Sequence, residues 1–286
     1  LFEHGAPGSQ NLKLTRKYYT EDMPDGRVKH IVQNITDPDI VPYMPDGIGN
    51  STDRQRIPAV LIIPGGAFRR LVYNFEGEDV AKWLNSMGIA AFVLECRLPS
   101  DEHDNAEDVP LIDAMRAMRV IRGRAQEFGI DEAKIGVMGF SAGGFMAALL
   151  STAYESDVYA DYKYKDEYDK LSARPDFAVC SYPVISIDDC IEAGKRYMSE
   201  EQVLEIINDS ETKILHKYNP DKLVRPDMPP VFICETDDDR TTLSENSVGF
   251  YMAARKAGVS AELHIFRTGG HGYGCGDDFA QTGEWK

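Results

Sequence analysis

Cysteine is scarce in this chain, tryptophan scarcer still, and positive charge falls well short of negative. The five cysteines, at positions 96, 180, 190, 234 and 275, form no Cys-x-x-Cys pair. An odd number at irregular spacing argues against a disulfide framework. Cys96, Cys180 and Cys234 lie in or at the end of apolar, strand-like runs and read as small core residues. Lys and Arg number 31 against 47 Asp and Glu, a net charge of -16. A surface this acidic repels phosphate backbones and anionic lipid, so neither nucleic acid nor a membrane is expected as a partner. No apolar run reaches the roughly 18 residues that a membrane helix needs. Internal repeats and low-complexity linkers are missing too. No basic-then-apolar leader opens the chain at Leu1, and a soluble protein, cytoplasmic in preference to secreted, is expected.

What is present suits a soluble enzyme. The 286 residues are 43% hydrophobic and 27% charged, enough for one large α/β domain carrying an insertion. Residues 1–25 are polar, with Gly and Pro, and are expected to form a loosely held arm. Residues 28–35 and 39–44 read as strands, and residues 47–56 as a loop opened by a Pro-Asp-Gly turn. The run Pro58-Ala59-Val60-Leu61-Ile62-Ile63 is continuously apolar, as a strand buried on both faces would be. Residues 89–94, 134–138, 177–180, 231–234 and 261–266 are further strand candidates. Helical spacing recurs over residues 76–87, 106–128 and 243–257, each followed by a stop glycine: Gly88, Gly129 and Gly258. Strand and helix therefore alternate from residue 58 onward, which predicts a mostly parallel sheet with helices on both faces. Residues 154–172 are rich in Tyr, Lys and Asp, and residues 187–228, with helical stretches at 200–207 and 212–217, read as a small cap.

The chemistry centres on Gly139-Phe140-Ser141-Ala142-Gly143-Gly144. An apolar strand precedes it and a small-residue helix follows, the setting in which Gly-x-Ser-x-Gly becomes a nucleophile elbow. A serine hydroxyl needs a base to take its proton, and the base needs an acid to orient it. Of the six histidines, His271 alone sits in a glycine-flanked loop after the last strand, Thr268-Gly269-Gly270-His271-Gly272. The acid is sought between serine and histidine, in the loop after the strand at residues 231–235. Asp237, Asp238 and Asp239 stand there; Asp239 is the candidate and Asp238 the alternative. Three adjacent carboxylates without further ligands make a poor metal motif, so no metal is expected. Donors for a developing oxyanion are expected from the amide of Ala142 and from the loop Gly65-Gly66-Ala67.

Pro64-Gly65-Gly66-Ala67-Phe68 resembles the His/Pro-Gly-Gly-Gly-Tyr/Phe segment of α/β-hydrolase esterases. The segment 76–84, the elbow, Ser181-Tyr182-Pro183-Val184 and Gly269-Gly270-His271-Gly272 extend the likeness over roughly residues 28–275. Together they are similar to the xylan-esterase-like and acetylesterase branch, related to hormone-sensitive-lipase-like carboxylesterases. The resemblance implies an α/β-hydrolase fold with a small helical cap, and a serine carboxylesterase acting through Ser141, His271 and Asp239. It places the oxyanion hole at Gly66, Ala67 and Ala142, and it calls for no cofactor. It also implies short acyl groups, acetyl above all, on a carbohydrate such as xylan or its oligosaccharides. Aligning on Asn246-Ser247 selects Asp239 as the acid. Two departures stand out: Ala67 replaces a third glycine, tolerable with an ordinary φ, and Thr242-Leu243 replaces a Val-Pro pair. The chief alternative is a feruloyl or longer-chain carboxylesterase. A prolyl-oligopeptidase-type peptidase carries a propeller-sized domain that this chain does not hold, and a binding protein on the same scaffold would normally have lost one of the three residues. Assembly as a homo-oligomer is left open.

Overall fold

The computed structural model describes residues 1–47, 56–209, 212–276 and 282–286. The loop expected at residues 47–56 lies almost wholly outside them. Among the described residues, seven strands form one sheet: β3 (Asp39–Tyr43), β4 (Ile57–Ile63), β6 (Ala90–Glu95), β7 (Ile130–Phe140), β8 (Ala178–Ser181), β9 (Val231–Thr236) and β10 (Ala261–Phe266). Their order is β10-β9-β8-β7-β4-β6-β3. All neighbours run parallel except β3, which pairs antiparallel with β6 at the edge.

Side-chain alternation divides the interior into two cores. From β4, Ala59, Leu61 and Ile63 enter one core while Val60 and Ile62 enter the other. From β6, Phe92 and Leu94 join the first, and Ala91 and Val93 the second. Helices α2 (Val109–Gly123) and α4 (Ala142–Ala153) cover the first face, with Met115, Met118, Phe145 and Leu149 buried. Helix α1 (Asp79–Ser86) covers the other through Val80, Ala81 and Leu84. A strand covered on both faces has no solvent side, which is why these runs are uninterrupted by polar residues.

The observed elements differ from expectation in informative places. Helix α2 starts at Val109, three residues later than the spacing suggested, because Pro110 is compatible only with a first turn. The expected helix breaks at Arg124, and a short α3 (Ala125–Phe128) ends on Gly129 at φ +67°. Ahead of α1, residues Asn74–Glu78 form a wider, π-type turn. The insertion between β8 and β9 holds α5 (Ile187–Tyr197), α6 (Glu200–Asn208) and α7 (Lys213–Lys217), the first of which periodicity had not marked. The last of the long helices is α8 (Ser244–Lys256).

The arm at residues 1–25 is not loosely held. Within it, β1 (Lys17–Asp22) pairs with β2 (Val28–Gln33), which pairs with β5 (Leu71–Val72) in a separate antiparallel sheet. Phe2 and Ala6 are buried, and the Leu1 ammonium donates to the Pro38 carbonyl at 3.2 Å. The Arg97 guanidinium, fully buried, reaches the Pro7 carbonyl and the Ser9 hydroxyl. Polar composition hid this anchoring, because the partners that make it favourable lie about ninety residues away. The tyrosine-rich stretch is also structural. Tyr154 donates to Asp227 at 2.7 Å and Tyr159 to Asp169 at 2.9 Å, while Arg116 of α2 donates to Asp166 at 2.7 Å.

Arg97 is balanced by Asp113 on α2, with the Arg97 amide and side chain all donating to that carboxylate at 2.6–3.0 Å. Both side chains are wholly removed from solvent. Removing one charge from such a pair leaves the other uncompensated. Asp113→Asn is therefore expected to cost about 3–5 kcal/mol of stability, measured by denaturant unfolding.

Candidate active site

Ser141 stands between β7 and α4 with φ 53° and ψ -120°, a backbone conformation that L residues rarely adopt. Backbone contacts hold it there: its amide donates to the Ser181 carbonyl at 3.0 Å, and its carbonyl accepts from Phe145 at 3.0 Å and Val184 at 3.4 Å. The sharpness of the turn depends on the flanking glycines. A Cβ at Gly139 would lie 2.0 Å from the Gly143 carbonyl oxygen, and one at Gly143 would lie 2.0 Å from that of Ile63. Neither approach is open to any other residue.

The structure brings Ser141, His271 and Asp239 into one chain of hydrogen bonds. Ser141 Oγ lies 2.8 Å from His271 Nε2, and His271 Nδ1 lies 2.6 Å from Asp239 Oδ2. The two neighbouring aspartates separate in function. Asp238 accepts the amides of Gly269 and Gly270 at 2.9 and 2.8 Å, which holds the loop that carries His271. Asp239 is buried and accepts the amides of Thr241 and Thr242 at 2.7 and 2.9 Å. Burial works against its charge, but the hydrogen bond and charge of His271, with the two amides, outweigh it. The carboxyl is held below the usual range.

Thr242, at the departure from Val-Pro, places its hydroxyl 2.9 Å from Asp239 Oδ2 and 3.2 Å from His271 Nδ1. It also lies 3.3 Å from the Tyr182 carbonyl; the shorter distance favours donation of its single O–H to the acid, a bond that a valine could not supply.

The turn after β4 lies beside the serine. A Cβ built on Gly65 would come within 2.9 Å of Ser141 Cβ. The turn's own bonds are donated by Arg69, Arg70 and Val72 to Gly65 and Gly66 carbonyls. Ala142 opens α4, so its amide has no acceptor within the helix. Ala67 does not have the ordinary φ that its replacement of glycine was expected to need. It sits at φ +57°, followed by Phe68 at +59°. The turn tolerates it because the Ala67 side chain is exposed while Phe68 is buried against Phe145, ring centroids 5.7 Å apart. A left-handed alanine costs about 1–2 kcal/mol relative to unstrained backbone. Ala67→Gly should accordingly raise stability by about 1 kcal/mol, read as a higher midpoint in thermal or denaturant unfolding.

Sequence reasoning assigns no role at the site to three residues of this region that it names only within matched segments or as a departure: Thr242, Glu76 and Tyr182. Glu76 and Tyr182 both lie in segments that carry the resemblance, which is the only signal for them. Glu76 is buried, with Oε2 accepting the Gly65 amide at 2.8 Å and Oε1 accepting the Tyr182 hydroxyl at 2.9 Å.

Glu235, at the end of β9, is a third buried carboxyl. It accepts the Thr236 amide at 2.9 Å and the Ser247 hydroxyl at 3.2 Å. Burial, reinforced by the nearby Asp239 carboxylate, pushes it well above the ordinary range. In the unfolded chain it ionises near pH 4.5, whereas in the fold it keeps its proton to higher pH. The folded state therefore binds more protons above that pH, and this residue's contribution falls as pH rises toward its folded pKa. Glu235→Gln is expected to reduce the loss of stability between pH 5 and pH 8, checked by melting both proteins across that range.

The four described cysteines, 96, 180, 234 and 275, are buried. Burial pushes the Cys234 thiol up to about 12 and raises those of Cys96 and Cys180 as well, so they behave as core residues.

The fold is that of the α/β-hydrolase class, and the solved structures that resemble it include esterases. The chain belongs to the BD-FAE family, whose pattern matches residues 46–253. It is 36% identical to the acetyl ester-xyloside bifunctional hydrolase of Caldicellulosiruptor lactoaceticus, covering 87% of this chain and 84% of that one at a TM-score of 0.68. It is 30% identical over 226 residues to an acetylxylan esterase of Xylanibacter ruminicola, 77% of this chain but 42% of that longer protein. The carboxylesterase Cest-2923 of Lactobacillus plantarum, at 20% identity, shares the fold with a TM-score of 0.66 over 93% of this chain and 87% of that one. No described helix is long and apolar enough to cross a membrane.

Proposed function

We propose that this chain is a serine carboxylesterase that removes short acyl groups, acetyl above all, from carbohydrate such as acetylated xylan or its oligosaccharides. The observation that carries the reading is the continuous hydrogen-bonded line from Ser141 through His271 to Asp239, at an elbow facing the turn at residues 65–67. The carbohydrate part rests on the names of the relatives. The insertion at residues 187–228 serves as a cap, within a single domain.

In this mechanism His271 Nε2 takes the Ser141 proton as Oγ attacks the ester carbonyl carbon. The Asp239 carboxylate accepts from Nδ1–H, fixes the tautomer and offsets the imidazolium charge. The amides of Gly66, Ala67 and Ala142 donate to the tetrahedral oxyanion, where charge develops in the transition state. Collapse of the intermediate breaks the bond to the alcohol oxygen, which leaves with the proton from His271. Water then gives a proton to His271 and attacks the acyl-serine; the carboxylic acid departs and Ser141 regains its hydrogen. No cofactor takes part.

The reading is tested with nitrophenyl esters from acetyl to octanoyl, alongside acetylated xylo-oligosaccharides, for the wild type and Ser141→Ala. The wild type should favour acetyl and release acetate from the oligosaccharides. The variant should lose roughly 10⁶-fold in kcat. Equal rates in the two proteins would sink the mechanism. An octanoyl preference would remove the short-chain assignment and leave the serine chemistry standing.

A further inference from the structure

Behind the reacting groups, one buried network joins pieces of chain that the mechanism uses separately. Its centre is Tyr182, the residue after β8, which is fully buried at the uncommon φ of +37°. Its amide donates to the Cys234 carbonyl at 2.7 Å, and its own carbonyl faces the Thr242 hydroxyl that holds Asp239. Its ring meets the His271 imidazole edge-on, centroids 5.0 Å apart, and the Tyr273 ring at 4.5 Å. Its hydroxyl accepts the Gly274 amide at 3.0 Å, three residues beyond His271, and donates to Glu76. Glu76 then holds the Gly65 amide, the start of the turn beside Ser141.

We infer that Glu76 and Tyr182 form a positioning strut that sets the oxyanion-receiving turn in register with the His271 loop. This inference rests on the esterase reading and names residues that never touch the ester. The distances explain why a carboxylate is needed at position 76. Both of its oxygens face donors, the Gly65 N–H and the Tyr182 O–H, and the Tyr182 oxygen is already accepting from Gly274. An amide of the same shape would turn an NH2 group toward one of those donors, so one end of the strut must move. The nucleophile and the oxyanion donors act as a unit only when their relative placement is held to fractions of an ångström, and displacement of about 1 Å costs on the order of 100-fold. Burial raises the Glu76 carboxyl, while the charge of His271, the Tyr182 hydroxyl and the Gly65 amide favour its ionised form, which is consistent with a group placed close behind the histidine.

The test compares wild type, Ser141→Ala, Glu76→Gln, Tyr182→Phe and the double variant Glu76→Gln/Tyr182→Phe, with nitrophenyl acetate kinetics and thermal melts. The rate of Ser141 labelling by a fluorophosphonate, followed by intact mass, is measured in parallel. The strut predicts that each single variant loses roughly 10- to 100-fold in kcat with KM within twofold, and labels correspondingly slowly. The double variant should be no worse than the poorer single variant, because either change breaks the same connection. A folded Glu76→Gln protein with wild-type kcat and labelling overturns the strut, as does a loss confined to KM or single losses that multiply in the double variant. Should Glu76→Gln fail to fold, Tyr182→Phe alone decides, since wild-type kcat in that variant leaves the hydroxyl no role. A wild type no faster than Ser141→Ala overturns the esterase reading itself, an outcome distinct from an active wild type matched by Glu76→Gln.

Discussion

The contact on which the rest of the site depends is between backbones. Gly143, in the first turn of α4, lies against the carbonyl of Ile63 at the end of β4, and Gly139 lies against Gly143. These approaches allow β7 to reverse directly into α4, which puts Ser141 into its strained conformation with the hydroxyl projecting and the Ala142 amide beside it. They also bring the turn after β4 alongside the serine, because β4 and β7 are paired neighbours with Ile63 opposite Gly139. The strain is local and is distributed over a rigid support: both strands are buried on both faces where they approach the elbow, and α4 is apolar almost throughout. A helix and two strands locked in this way define the origin from which every other part of the site is measured.

Electrostatics of the site run against the general acidity of the chain. Asp239, Glu76 and Glu235 are all buried: Asp239 and Glu76 each feel the charge of His271, and Glu235 lies beside Asp239. Their environments push them apart. Asp239 is surrounded by donors and lies below the ordinary carboxyl range, whereas Glu235 has few donors and an adjacent carboxylate and lies well above it. Glu235 therefore holds its proton to higher pH than an exposed glutamate, while Asp239 loses its own at lower pH than an exposed aspartate. Thr242 contributes to the same separation by adding a hydroxyl donor to Asp239.

Much of this arrangement could be read in the amino-acid order because it depends on local rules. The apolar run at residues 58–63, the stop glycines and the glycine-flanked serine and histidine each follow from short-range sterics or burial. Choosing Asp239 over Asp238 needed the registration with Asn246-Ser247, and that asparagine proves to accept no chemistry at the site. Its side chain instead caps the amides of Ile185 and Ser186. What was not legible depends on partners distant in the chain. The polar arm is anchored by Arg97, Phe68 beside the strained Ala67 packs against Phe145, and Glu76 meets Tyr182 across 106 positions. No window of ten or twenty residues contains these pairs, so neither periodicity nor composition could report them.

The Arg97 and Asp113 pair carries a consequence for how the molecule assembles. The ion pair comes together between β6 and α2, but the guanidinium is complete only when residues 7 and 9 arrive from the start of the chain. Until then a desolvated cation lacks two of its acceptors, and that unfinished shell faces the first ten residues. The arm thus acts as a closing plug whose docking spans the longest sequence separation of any contact to that charge. Such closures are entropically slow and come late.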